Sequence, residues 1–255
     1  MGAHLVIVSR DNTRGEAAKD DIVSRSKNES VDLMTADLSA LSSVRNLVTE
    51  FSAKYQRLGV LINDAAVYKR TRTVTAEGFE TMFATNYLGP FLLTRLLIPC
   101  LEEAKPSRVI NVTAPSTTRP NLDDLQCERK FGALNAFGAS KAADLLFTYA
   151  LARRLANRGV TVNAYHPGLV KTSLMREAPA PVRAITGAMN LFAGRSADMA
   201  AEGLVQLATS EEFQATNGLL IHDGKSVSAP FKDDRDFQDN LWRASSALVG
   251  LHEDL

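Results

Sequence analysis

Lys141, Asp64, Asn86 and Thr113 are the side chains of this 255-residue chain best placed to hold or move a proton. An ammonium and a carboxylate can serve as acid and base, while an amide and a hydroxyl can orient a polar substrate atom. Phe137 and Tyr87 would add apolar walls, and Ser116, His166 and Thr172 further polar contacts. His166 precedes Pro167-Gly168 in a turn and reads first as a hydrogen-bonded structural histidine. The remaining histidines, His4, His222 and His252, form no metal-like spacing with one another, nor do Cys100 and Cys127, so no metal site is expected.

Alternating apolar runs and helical stretches must position these groups. Leu5 to Val8 reads as a strand and Thr13 to Lys27 as a helix. Val31 to Met34 is a second strand, after which Asp37-Leu38-Ser39 caps a helix through Leu47 to Phe51. Val60-Leu61-Ile62 is short and continuously apolar, as a strand buried on both faces should be. A long helical region spans about Thr75 to Leu101. Arg108 to Val112 is a fourth strand, Asn135 to Asn157 a long helix, Val160 to Ala164 a fifth strand and Gly218 to Ile221 a last one. This alternation predicts one doubly wound parallel sheet with helices on both faces, a three-layer αβα domain over 1–255. In such sheets ligands bind beyond the carboxyl ends of the strands, where Asp64 and Thr113 fall. The irregular stretch Pro115 to Lys130 is expected to shape a pocket rim, and Glu177 to Ala193 to form a lid.

Hydrophobic residues make up 45% and charged residues 23%, ordinary for a soluble globular protein. Lys+Arg and Asp+Glu both number 29, so no global field draws in nucleic acid or an anionic membrane. No run reaches the roughly 18 to 20 apolar residues of a membrane span, and the start lacks a signal-peptide pattern. A cytoplasmic protein with two reduced thiols is the expectation.

Joint motifs carry a resemblance over nearly the whole chain. Gly2 to Arg10 looks like a second strand followed by a basic residue, Ala36-Asp37-Leu38 like an adenine-contacting pair, and Asn63-Asp64-Ala65-Ala66 like an Asn-Asn-Ala-Gly turn. Asn86-Tyr87-Leu88-Gly89, Asn111-Val112-Thr113-Ala114, Phe137-Gly138-Ala139-Ser140-Lys141 and His166-Pro167-Gly168 with Thr172 complete the set. Together they resemble the short-chain dehydrogenase/reductase family, its retinol-dehydrogenase-like subgroup in particular, which implies a Rossmann-like fold. The resemblance also implies an NADP-selecting role for Arg10, with Asp37 and Asn63 as vestigial cofactor contacts, and a homodimer through the helices around Leu92 and Leu146.

The departures carry the functional expectation. Where the family has an Asn-Ser-Tyr-Lys tetrad, this chain reads Asn86, Ala114, Phe137 and Lys141. Phenylalanine has no proton to give a carbonyl oxygen, and losing a general acid costs about 10² to 10⁴ in rate. The glycine-rich turn that holds a dinucleotide pyrophosphate has no counterpart, because no Gly-x-Gly occurs. With its phenol and ribose partners gone, Lys141 would need a new counter-charge, and Asp64 is the candidate. A non-redox, cofactor-independent enzyme follows, one that promotes cyclisation, isomerisation or pericyclic chemistry of an apolar small molecule by holding its reactive conformation. The alternatives are an NADPH-dependent oxidoreductase with a truncated or mis-assigned start, and a redox-dead binding or regulatory protein.

Overall fold

A computed structural model describes residues 2–168, 170, 174–177 and 196–255. Seven strands are described: β1 (Leu5–Ser9), β2 (Val31–Thr35), β3 (Val60–Asn63), β4 (Ser107–Val112), β5 (Val160–Tyr165), β6 (Leu220–His222) and β7 (Lys225–Val227). The helices are α1 (Asn12–Ser26), α2 (Leu41–Lys54), α3 (Thr81–Phe83), α4 (Gly89–Glu103), α5 (Ala133–Arg154), α6 (Ala197–Thr209) and α7 (Arg235–Leu248). The result is a Rossmann-like α/β fold with a parallel sheet flanked by helices, as the alternation predicts. Its sheet is divided. β3-β4-β5-β6-β7 form one sheet, parallel except for the β6–β7 hairpin, and β1 and β2 form a separate parallel pair.

Two local readings need correction. Asp37 does not cap α2, because its carboxylate closes a tight turn onto the Ser39 amide and hydroxyl. The Leu41 and Ser42 amides donate instead to Glu77, 36 and 35 residues away. The long helix starts at Thr81, not Thr75. Glu80 caps it by accepting from the Met82 and Phe83 amides, and residues 84–88 form a π-helical turn before α4. β7 is too short to carry a periodic signal, and α7 has no counterpart among the elements read from the sequence.

The main core lies between α2, α4, α5 and α7. Phe91, Phe147 and Trp242 pack with ring centroids 5.1–6.0 Å apart, and Leu92 and Leu146 are wholly buried among them. Those two leucines are therefore spent inside the protein and cannot form a dimer face. Gly89 marks the tightest approach between elements, since a Cβ there would sit 2.0 Å from the Leu38 carbonyl oxygen. Gly→Ala in an open helix gains about 1 kcal/mol. Gly89→Ala is expected to lose roughly 1–3 kcal/mol or more instead, because rigid backbone must move. A denaturant midpoint measured against wild type checks the sign.

Candidate active-site crevice

The carboxyl ends of β3, β4 and β5 bring most of the sequence-selected residues into one region, but they are joined differently from the expectation. Lys141, on the buried face of α5, donates to the Val112 carbonyl and to Asp144 Oδ2, each at 3.1 Å. Both side chains of this pair are more than nine-tenths buried. Burial pushes the Asp144 carboxyl up to about 6, against the pull of Lys141 and of the Thr113 hydroxyl. The counter-charge of Lys141 is therefore Asp144. Asp64 is exposed and takes no part. The spacing i, i+3 on one helix face was the signal that could have found it.

The hydroxyl of Thr113 donates to the Lys141 carbonyl at 2.9 Å, which ties the end of β4 to α5. Asn86 sits in the π-helical turn and clamps the loop after β3. Its Oδ1 accepts from the Val67 amide at 2.7 Å, and its Nδ2 donates to the Val67 carbonyl and to Ser140 Oγ, each at 3.0 Å. That is a positioning role, and π-turns of this kind recur at functional sites. Asn63 donates to Thr94 and Asn111, and Asn111 donates to Thr148. These amides link the ends of β3 and β4 to α4 and α5, and they engage the Asn63 Nδ2 within the protein.

Tyr87 is no wall of the crevice. It is fully buried, bonds the Ser245 hydroxyl at 2.7 Å, and burial drives its phenol far above the usual range. It is not placed to donate a proton in the crevice. Phe137 is half-buried and packs edge-on against Tyr68, with centroids 5.8 Å apart. Tyr68 is 3% exposed and its hydroxyl has no partner, a feature the sequence gave no reason to select. Ser116 lies over the start of α5, with its hydroxyl 3.2 Å from where a Gly138 Cβ would stand and accepting from the Thr118 amide. His166 stacks 4.9 Å from His222. Burial, then the neighbouring imidazole, lowers its pKa. Thr172 and most of the Glu177 to Ala193 lid lie outside the described residues; Glu177 itself pairs with Lys69 at 3.0 Å.

Pro115 to Lys130 does shape a pocket rim. A cavity of about 310 Å³ lies under Thr118, Arg119, Asp124 and Leu125, floored by Ala136 and Ser140 of α5. It occupies the face of α5 beside the stripe carrying Phe137, Lys141 and Asp144. Among the described residues no group of His, Cys, Asp or Glu could hold a metal ion, and no helix is long and apolar enough to cross a membrane.

A parallel sheet with helices on both faces and polar groups gathered at its strand ends defines a Rossmann-like α/β protein. The short chain dehydrogenase family model matches residues 1–182, and the chain belongs to that family of enzymes. It is 35% identical over 259 residues to Retinol dehydrogenase 13 of Homo sapiens, covering 98% of this chain and 78% of that protein. It is 35% identical over 260 residues to Polyprenol dehydrogenase of Danio rerio, covering 98% and 80%. Among solved structures, a putative uncharacterized protein from Mycobacterium Paratuberculosis matches with a TM-score of 0.75 and 29% identity, covering 100% of this chain and 87% of that one. The RhlG/NADP active-site complex of Pseudomonas aeruginosa matches with a TM-score of 0.65 and 25% identity, covering 88% and 86%.

These findings overturn the cofactor-independent cyclase or isomerase, because the named relatives are dehydrogenases. They also overturn the expectation of no cofactor, since the relatives are dehydrogenases and a structural neighbour at 25% identity is a complex with NADP. The described residues do not by themselves fit the whole of such a cofactor. None of them forms a glycine-rich turn leading into a helix N-terminus that could hold a pyrophosphate, and the N-terminus of α1 is closed by the Asp11 carboxylate, which accepts from the Arg14 amide at 2.9 Å. The Lys141 ammonium is already held by Asp144 and Val112. Arg10, exposed after β1, remains free of such conflict.

Proposed function

We propose that this chain is a nicotinamide-dependent oxidoreductase that interconverts an apolar alcohol and its carbonyl compound. The observation that carries this reading is the 35% identity to a retinol dehydrogenase and a polyprenol dehydrogenase across 98% of the chain. Both printed names denote oxidation of long apolar alcohols, and an apolar substrate agrees with a half-buried Phe137 at the crevice. Arg10 favours NADP over NAD, as a cation beside a 2′-phosphate would.

Phe137 and Ala114 favour a second reading, a redox-inactive member that binds the same ligands. Binding and turnover separate the two. Titration with NADPH and with NADH, followed by retinal reduction, is expected to give saturable NADPH binding and nucleotide oxidation that tracks retinol formation. Binding without turnover moves the chain to the second reading. No binding of either nucleotide sinks the redox proposal.

A further inference from the structure

Among the described residues, four buried side-chain atoms have no hydrogen-bond partner: the hydroxyls of Tyr68, Tyr149 and Ser107, and Nδ1 of His166. A buried polar group left unpaired is costly, so each one needs a reason. Ser107 opens β4, and Tyr149 borders a cleft with Asn217 and Gly218, just ahead of β6; both lie toward the amino ends of the strands. His166 already stacks on His222. Tyr68 differs from these. It follows β3 at the carboxyl ends of the strands, where ligands bind in such sheets, and its ring meets Phe137 edge-on.

The backbone on either side of Tyr68 is fixed. Asn86 grips the amide and the carbonyl of Val67, and the Lys69 amide donates to Met82 Sδ at 3.3 Å. The ring lies in an apolar cluster with Met82 and Ala136, bordered by Phe131, Phe137 and Leu174. Such surroundings suit the body of an apolar alcohol, and the hydroxyl offers the polar contact that its oxygen needs. Lys69 pairs with Glu177 and Lys141 with Asp144, so neither ammonium serves that hydroxyl. With nothing bonded to it that would take up or replace its proton, its part is a hydrogen bond, not proton transfer. The short turn Leu174–Glu177 covers the cluster and is joined to the Tyr68 loop by the Lys69–Glu177 pair. A pair this exposed holds weakly, so an entering ligand can part the two.

We propose that Tyr68 is a specificity-determining residue, whose hydroxyl donates to the oxygen of the apolar alcohol or carbonyl compound bound against Phe137. The proposal rests on the substrate class named above and deepens it. A site built to hydrogen-bond one oxygen rejects the analogue that lacks it, because its own buried polar group is then left unpaired. In the ligand-free protein the Tyr68 hydroxyl is in that unpaired state. Binding of an oxygenated ligand relieves it, and binding of a hydrocarbon of the same shape does not.

Tyr68→Phe tests this without turnover. The full chain is titrated with retinol and with the hydrocarbon of the same polyene skeleton, each alone and with NADPH, which can reduce neither. Wild type is expected to favour retinol. Tyr68→Phe should weaken retinol binding about threefold to tenfold and leave the hydrocarbon unchanged. The Tm of the ligand-free variant should equal or exceed that of wild type, because an unpaired hydroxyl has left an apolar cluster. Equal losses for both ligands, or a lower Tm, would show that the hydroxyl has a structural partner and would overturn the proposal. Unchanged retinol binding at unchanged Tm overturns it too, while the apolar-alcohol reading stands. A wild type that binds neither ligand in either condition overturns both.

Discussion

Phe137→Tyr is expected to raise retinal reduction by about 10²- to 10⁴-fold, the range that a positioned general acid supplies. Position 137 lies one helical turn before Lys141, on the same face of α5. A phenol there would stand beside the ammonium, as the proton donor of a carbonyl reduction must. The gain should be incomplete, because Lys141 already spends its charge on Asp144 at 3.1 Å. Adding Asp144→Asn keeps a hydrogen-bond acceptor at that place while removing the competing charge. The double variant should therefore exceed the single one, and the limb of its pH–rate profile that reports the phenol should move to lower pH. Steady-state rates across pH, in protein that binds NADPH, check both parts. Unchanged rates in the presence of saturable binding would leave proton supply out of the account of this site.

The same helix shows what the sequence could and could not give. The short apolar runs located the first five strands to within two residues, because continuous Val, Ile and Leu bounded by polar segments has one good solution in a parallel sheet. Lys141 and Thr113 were legible as crevice residues for that reason, since strand ends are fixed once strands are. Asp144 was missed although it stands three residues from Lys141, because motif matching directed attention to the strand-end position of Asp64. The cap of α2 was misplaced for a different reason: Glu77 is remote in sequence, and only tertiary structure brings its carboxylate to Leu41 and Ser42. Tyr87 looked available and is not, because a phenol in an apolar helix can turn inward to a hydroxyl such as Ser245. Phe137 alone does not decide against redox chemistry, because the likeness to a dehydrogenase extends over 98% of the chain.

Asp144→Ala should be among the most damaging single substitutions in the protein, costing about 3–5 kcal/mol, because it leaves an ammonium buried without its counter-charge. For a domain of this size that is a fall in Tm of about 6–20 °C. Lys141→Met should cost less. It leaves a carboxyl that burial already holds near about 6, so the group can shed its charge by taking up a proton. Replacing both, as Lys141→Met with Asp144→Leu, should return stability to within about 1 kcal/mol of wild type or exceed it, since apolar side chains do not have to be dehydrated at such expense. The pH dependence follows from the direction of the shift. The folded protein holds the Asp144 proton up to about 6, whereas an unfolded aspartate releases it near its ordinary 3.8. Between those values the native state binds more protons, so this group's contribution to stability is greatest below about pH 4 and declines as pH rises toward 6. Asp144→Asn removes that decline, and the difference in unfolding free energy between it and wild type, followed from pH 4 to 7, isolates the slope. A difference that stays flat across the interval would mean that Lys141 holds the carboxylate ionised throughout, and that the pair is stronger than its burial suggests.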